Sequence, residues 1–407
     1  MLTKKILDGM YWIGALDPDL RVFDIVMHTG FGTTYNSYLL TGTEKTVVFE
    51  TVKDRFTDEY IEKIKRLAPS GKIDYIVVNH TEPDHAGSIE RLLDIYPGVK
   101  IVGTTAAINF LKEITNKEFS AIAVKQGDSL DIGGKTLEFI IASNLHWPDT
   151  MFTYVPRIKT LFSCDFFGAH YSDENVTSDA VVDHEGYLEA AEYYYNGIMG
   201  PFREDVVKAL DKVENLPVDV IATGHGPVLL DPAEIIGLYR RWSEPKRRFS
   251  KKTVIMPYVS AYGYTKAIAE GIAAGISEEG DIDVRLHDMV YDDHALVMSE
   301  IDDADGFLLG TPTMVGEALP PIWAVAVDIN SRIHKGKFCS VFGSYGWSGE
   351  GVPRVIERLR QTKLPVYGDG LRVKFKPGPG DMEKARDFGR GFGKAVREGK
   401  LPDGNPD

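Results

Sequence analysis

From residue 253 onward the chain alternates short apolar runs with amphipathic stretches: TVIMP, a helical pattern over 264–277, DVRLHD, GFLLG, a helical pattern over 321–333, FCSVFG, another over 351–361 and a last near 381–398. Apolar runs bounded by turns read as strands buried on both faces. Strands separated by helices pair in parallel, because a crossover through a helix returns the chain to the same end of the sheet. Sustained over about 150 residues, this pattern predicts a doubly wound parallel α/β sheet.

The first 250 residues read differently. Strand-like stretches come in succession, YNSYLL at 36–41 and TVVFETV at 46–52, then a helical pattern near 58–67 and the strand DYIVVN at 74–79. KIVG, SAIAV, LEFIIA, MFTYV and TLFSC continue the strand signal, with helical patterns near 86–95, 105–114, 186–213 and 232–244. That mixture predicts an αββα sandwich. SEPKRRFSKK at 243–252 is basic, polar and contains Pro245, as an interdomain linker does. Two domains are predicted, 1–250 and 251–402, with the tail LPDGNPD frayed. At 407 residues and 43% apolar content there is material for two cores.

No run approaches the roughly 20 apolar residues of a membrane span, and MLTKKILDGMYW lacks a signal peptide's apolar core, so a cytoplasmic protein is expected. A formal charge of -14 repels nucleic acid and anionic membrane surfaces but leaves a small neutral substrate unaffected. Cys164 and Cys339 form no CxxC pair, which excludes a zinc ribbon or a cysteine-ligated iron–sulfur cluster within the chain. Redox chemistry here needs another carrier.

The densest chemistry follows the strand DYIVVN, where His80, Glu82, Asp84 and His85 fall within six residues. Alone, this also reads as a polar loop with two solvated histidines. Three distant residues change that weighing. His146 follows LEFIIASNL, Asp165 follows TLFSC, and His225 follows VDVIATG in a Gly-His-Gly turn. Each lies just past a strand's carboxyl end, where open α/β architectures gather their ligand-binding loops.

With these residues the chain resembles the metallo-β-lactamase superfamily, whose usual signature has histidine where this sequence has Glu82. A carboxylate in place of an imidazole makes the site richer in oxygen and shifts preference from zinc toward iron or manganese. The full set, together with HWPDTMFTYVP at 146–156, LFSCDFFG at 161–168 and GHGPV at 224–228, resembles the flavodiiron proteins. That resemblance implies a metallo-β-lactamase-like domain followed by a flavodoxin-like one, with two iron ions and FMN. It implies that His80, Glu82 and His146 hold one iron and Asp84, His85 and His225 the other, bridged by Asp165. It further implies a pocket-lining tyrosine at Tyr193, with Tyr194 and Tyr195 one and two places along, and sets His28 near the same pocket; His170 is a candidate neighbour of the metals.

The second domain carries its own constellation. TVIMP leads through Ser260, Ala261, Tyr262, Gly263, Tyr264 and Thr265 into a helix, the order of a phosphate cradle at a helix N-terminus. GxGxxG and GxxxxGK[ST] are both missing, which argues against a dinucleotide site and a P-loop and suits a mononucleotide. Thr311, Pro312, Thr313, Met314 and Val315 follow GFLLG, and Ser344, Tyr345, Gly346, Trp347, Ser348 and Gly349 follow FCSVF. Aromatic faces and glycines there suit an isoalloxazine ring. The TPT and SYGW wording resembles flavodoxins, although Tyr262 and Tyr264 stand where those carry smaller residues.

The resemblance spans essentially the whole chain. It implies an oxidoreductase that reduces dioxygen to water, nitric oxide to nitrous oxide, or both, with electrons relayed through FMN from rubredoxin or a reduced deazaflavin coenzyme. It also implies a head-to-tail homodimer, alone or as a dimer of dimers. Two rivals stand beside it, a zinc-dependent hydrolase fused to a flavodoxin domain and an electron carrier with a vestigial metal site. Glu82 and the flavodoxin half weigh against the first, and the complete ligand set against the second.

Overall fold

The computed structural model describes residues 1–68, 71–244 and 248–402; residues 245–247 of the linker and the tail beyond 402 lie outside the described residues. The chain divides into two compact units, Met1–Glu244 and Pro245–Asp407. Phe249, placed before the boundary by the sequence reading, belongs to a buried cluster of the second unit and lies under the Arg285 guanidinium at 4.5 Å. No helix among the described residues is long and apolar enough to cross a membrane.

In the first unit a seven-stranded sheet runs in the order Lys4–Leu7, Met10–Trp12, Tyr38–Thr41, Thr46–Phe49, Tyr75–Val77, Lys100–Gly103, Ala121–Ala123. A five-stranded sheet runs Ser129–Asp131, Thr136–Ile141, Met151–Val155, Thr160–Cys164, Val220–Thr223. Side chains alternate faces along a strand, and this sorts the core. Val47 and Phe49 join Phe139, Met151 and Phe162 between the sheets, whereas Val48 joins Ile61, Ile64 and Leu92 from the outer helices Thr57–Leu67 and Ile89–Ile95. Phe49 and Phe162 stack at 3.7 Å across the sandwich. Tyr187, Ala191, Leu210 and Tyr239, from helices His184–Tyr194, Arg203–Val213 and Ala233–Ser243, cover the other sheet. This is the αββα sandwich that the sequence predicts.

The helix expected over 186–213 is broken. His184–Tyr194 passes into a π-helical turn, Tyr195–Met199, and a 3-10 turn, Gly200–Phe202, before Arg203–Val213 restarts. Gly197 and Gly200 weaken the helix there, and Pro201 offers no N–H to continue it.

Strand pairing places the functional loops. Thr160–Cys164 and Val220–Thr223 run parallel with Cys164 opposite Thr223, so Asp165 and His225 emerge side by side. Asn79, beyond Tyr75–Val77, accepts from Met151 N at 2.9 Å and from Thr153 Oγ1 at 2.8 Å, which ties the His80 loop to the same edge.

The second unit is one parallel sheet in the order Ile282–Asp288, Lys252–Tyr258, Gly306–Gly310, Phe338–Tyr345, Leu371–Lys374, the doubly wound flavodoxin order. Helices Tyr264–Ser277 and Pro379–Glu398 cover one face, and His294–Asp303, Pro320–Asp328 and Gly351–Gln361 the other. The first pair approaches so closely that a Cβ on Gly389 would meet Ile272 O at 2.1 Å. The helix expected over 321–333 stops at Asp328, because Asn330 Oδ1 accepts the N–H groups of Arg332 and Ile333 in a tight turn.

Candidate metal centre and flavin cleft

Beyond Tyr75–Val77, Pro83 opens a short helix, Pro83–Ala86, that carries Asp84 and His85. Its fixed φ suits a first helical position, and His85 N donates to Glu82 O at 2.8 Å. His80, Glu82, His146 and Asp165 each bring a donor atom within 4.8 Å of the others, and Asp84, His85 and His225 do the same.

Asp165 joins the two groups. Its Oδ2 lies 3.4 Å from His80 Nε2 and 3.5 Å from His146 Nε2, while its Oδ1 lies 2.8 Å from His85 Nε2 and 3.5 Å from His225 Nε2. Glu82 Oε2 stands 3.3 Å from His80 Nε2 and 3.0 Å from His146 Nε2, and Asp84 Oδ2 stands 3.1 Å from His225 Nε2. All four imidazoles therefore turn Nε2 toward carboxylates. Two are held from behind. His80 Nδ1 is 3.3 Å from Asp149 Oδ2, which also accepts from Thr81 N at 2.8 Å, and His225 Nδ1 donates to Thr34 O. An imidazole whose Nδ1–H is engaged presents an Nε2 lone pair, the form that binds metal.

The charges interlock. Burial pushes Asp165 up, but the His85 charge and hydrogen bonds from His146 and His85 outweigh it and hold the carboxyl well below the usual range. Burial lowers His80, yet hydrogen bonds to Asp149 and Glu82 and the Asp165 charge carry it well above its ordinary value. His146 rises to about 9 against burial, through hydrogen bonds to Asp165 and Glu82. Protons on the imidazoles thus balance the carboxylates, a task that cations among them perform equally. Asp84 Oδ1 and His85 Nδ1 are buried without a hydrogen-bond partner. Open buried acceptors are costly, and a nitrogen and oxygen donor set of this kind fits iron.

Tyr194, not Tyr193, faces this centre. Tyr193 is 46% exposed, whereas Tyr194 is 1% exposed, with its ring edge-on to His170 at 4.9 Å and 6.0 Å from His225. Tyr195 is buried elsewhere, its hydroxyl 2.8 Å from Ser243 Oγ. His28 does not turn toward the centre either. It is exposed on the hairpin of Val22–Phe23 with Met27–His28, and Phe23 turns inward instead, 4.2 Å from His170 and 5.3 Å from His225. His170 is buried with Nδ1 2.9 Å from Thr33 Oγ1, and burial together with the His225 charge holds it well below its ordinary value, hence neutral. The sequence reading missed Phe23, Thr33, Thr34 and Asp149. Only Asp149 left a signal, an acid three residues past His146 in HWPD.

In the second unit the carboxyl ends of the strands enclose a cleft of about 610 Å³. Its walls come from Ala261, Tyr262 and Tyr264, from Pro312, Thr313, Met314 and Val315, and from Ser344, Tyr345, Gly346, Trp347 and Ser348. Ser260, Gly263, Thr265, Thr311 and Gly349 do not line it. Gly263, at φ 79°, starts the helix Tyr264–Ser277, and Ser260 Oγ accepts from Lys266 N at 3.2 Å. Thr265 Oγ1 lies 2.9 Å from Ser344 Oγ, and Thr311 Oγ1 accepts from Leu319 N at 3.0 Å, so hydroxyls brace the loops from behind. Gly349 sits at φ 146°, where a Cβ would meet the Tyr345 ring at 3.0 Å. Gly316 and Phe375 complete the wall, and neither was read from the sequence. Aromatic faces beside a helix N-terminus suit a flat ring with a terminal phosphate.

Residues 33–226 match the model of the ODP family beta lactamase, and residues 257–389 match that of flavodoxin. A flavo-diiron protein of Clostridium acetobutylicum is 42% identical over 401 residues, covering 97% of this chain and 100% of its own. A nitric oxide reductase of Moorella thermoacetica is 35% identical over 396 residues, covering 95% of this chain and 96% of its own. Among solved structures, the rubredoxin oxygen:oxidoreductase of Desulfovibrio gigas superposes with a TM-score of 0.68 at 28% identity, over 98% of this chain and 99% of its own. Sandwich, flavin fold and full-length relatives agree: the chain belongs to the flavodiiron proteins, oxidoreductases that combine FMN with a di-iron centre.

Proposed function

We propose that this protein reduces dioxygen to water, nitric oxide to nitrous oxide, or both. The observation that carries the reading is the Asp165 carboxylate, one oxygen of which faces His80 and His146 while the other faces His85 and His225. In this reading His80, Glu82 and His146 hold one iron, Asp84, His85 and His225 hold the second, and Asp165 spans both. When bound, FMN would supply electrons and the irons would supply the redox and Lewis-acid chemistry that the reduction of a diatomic gas requires. Dioxygen takes up four electrons and four protons to give two waters; two nitric oxides take up two of each to give nitrous oxide and one water.

The chain's own side chains shape the pocket. Burial and the Asp165 charge push the Tyr194 phenol well up, so it stays protonated and donates a hydrogen bond to an oxygen without adding negative charge. Phe23 and neutral His170 wall the second iron's side against water. Relatives named for each gas, the nitric oxide reductase and the rubredoxin oxygen:oxidoreductase, support keeping both substrates. None of these relatives supports a hydrolase.

Rubredoxin or a reduced deazaflavin coenzyme is the donor in this reading, and the cytoplasm its setting. A head-to-tail homodimer, alone or doubled, sets one copy's flavin cleft against another's metal pocket. Exposed apolar side chains at both places support that pairing, Ile25 at 93% and Val26 at 77% on the Phe23 hairpin and Trp347 at 92% on the cleft. The test is anaerobic reduction of the iron- and FMN-loaded protein with each donor, followed by electrode measurement of both gases. Consumption of at least one is expected, and consumption of neither, with both cofactors in place, overturns the reading.

A further inference from the structure

The two groups of candidate ligands match in kind, each with two imidazoles and a carboxylate of its own beside the shared Asp165. They differ in what stands behind the imidazoles. His80 Nδ1 is 3.3 Å from Asp149 Oδ2, and the same oxygen accepts from Thr81 N and from Thr81 Oγ1, each at 2.8 Å. Asp149 is fully buried, and Thr104 Oγ1 donates to its backbone oxygen at 3.0 Å. Three donors converging on one oxygen favour a carboxylate over a carboxyl. A full negative charge therefore sits one hydrogen bond behind His80.

The second group has no such partner among the described residues. His225 Nδ1 meets uncharged oxygens, donating to Thr34 O and lying 3.4 Å from Thr33 Oγ1, while His85 Nδ1 has no hydrogen-bond partner. Rings surround His225 instead: His170 at 5.1 Å, Phe23 at 5.3 Å, Tyr35 at 5.8 Å and Tyr194 at 6.0 Å. Glu50 is a further buried carboxyl, but it accepts from Asn79 N at 2.9 Å and, among the described residues, hydrogen-bonds to no imidazole.

Holding the His80 loop in place does not require a charge. An asparagine oxygen would accept from Thr81 N and Oγ1 as well, and a buried charge is costly unless an opposite one faces it. Behind a ligating imidazole, a carboxylate raises the basicity of the ring and so stabilises the higher charge of a metal ion in front of it.

Resting on the reading that iron occupies both groups, we propose that Asp149 is a positioning residue that makes the two metal positions electrically unequal, so that iron held by His80, Glu82 and His146 gives up an electron before iron held by Asp84, His85 and His225. The oxidation passes one electron to an outer acceptor and makes or breaks no bond in the chain. The half-oxidised centre is then ferric beside His80 and ferrous beside His225, and a fully ferric centre takes its first electron on the His225 side.

The experiment uses FMN- and iron-loaded protein, reduced without oxygen and then oxidised stepwise with ferricyanide in the presence of redox mediators. Iron is read by Mössbauer spectroscopy, to which the flavin does not contribute. The wild type shows two separate one-electron iron couples. In Asp149→Asn the couple oxidised first rises by about 59 mV or more, a tenfold or greater loss of preference for the ferric ion, and the other couple moves less. Thr81→Val removes one donor from Asp149 Oδ2, leaves more of its charge to His80 and lowers the same couple. Simple loosening of the loop would move both variants alike. The proposal is overturned by a wild type whose two irons are oxidised together, by an Asp149→Asn variant that leaves the first couple in place or raises the second one more, or by shifts of the same sign in both variants. Should Asp149→Asn fail to hold two irons, Thr81→Val decides alone: a lowered first couple upholds the proposal, and any other result, loss of iron included, overturns it. A wild type that binds fewer than two irons per chain overturns the reading on which the proposal rests.

Discussion

Asp165 Oδ1 lies 2.8 Å from His85 Nε2 while its Oδ2 lies 3.4 Å from His80 Nε2, so one carboxylate reaches both groups of imidazoles. Asp165→Asn preserves shape and removes the shared charge. The variant is expected to hold less than one iron per chain and to lose gas reduction by about 100-fold or more, since even outer-sphere losses cost about 10–100-fold. Plasma emission analysis for iron checks this, and full occupancy would show that Asp165 does not bridge.

Tyr194→Phe removes only a hydroxyl from the pocket. A single hydrogen bond to a charge-bearing oxygen amounts to about 1.5–3 kcal/mol, so kcat is expected to fall about 10- to 100-fold with iron content unchanged. Tyr193→Phe, on the solvent side, should match wild type. Equal effects at both positions would contradict an inward-facing Tyr194 beside a solvent-facing Tyr193.

Much of this centre was legible in the sequence, and the reason is physical. Imidazoles and carboxylates directly after buried strands interrupt apolar text, so the seven residues that the structure brings together stand out. Tyr194 did not, because three successive tyrosines differ by about 100° each around a helix, and the π turn at Tyr195 ends the regular count. The helix His294–Asp303 escaped notice because a buried Glu300, paired with Arg285 and His287, sits where its apolar period needs a hydrophobe. Leu371–Lys374 escaped because only Val373 in it is buried. Phe23 lies in a two-residue strand that no period marks.

Removal of iron should make the first unit sensitive to alkali. His146, raised to about 9 in the folded metal-free protein against an ordinary 6.5, contributes stability that is fully present below 6.5 and is lost as pH rises through about 9. The loss is on the order of 1–3 kcal/mol. Thermal melts of chelator-treated protein should show a midpoint falling between pH 7 and 10, and the iron-loaded protein a flatter profile, because the metal replaces the proton. Parallel profiles for both forms would count against this account.

Gly389→Ala drives a methyl toward Ile272 O, 2.1 Å from the ideal Cβ position, and forces apart the helices Tyr264–Ser277 and Pro379–Glu398. A cost of about 1–3 kcal/mol to the second unit is expected. Denaturant unfolding followed by flavin fluorescence should report it, with iron binding in the first unit unchanged. An unaltered midpoint would mean that the helices separate freely.

Anomalous diffraction at the iron edge, on crystals of iron-loaded protein, tests the central claim most directly. The account predicts two iron peaks about 3.5–4 Å apart, one beside His80, Glu82 and His146, the other beside Asp84, His85 and His225, with Asp165 between them. A single peak, or density at the zinc edge alone, would contradict it.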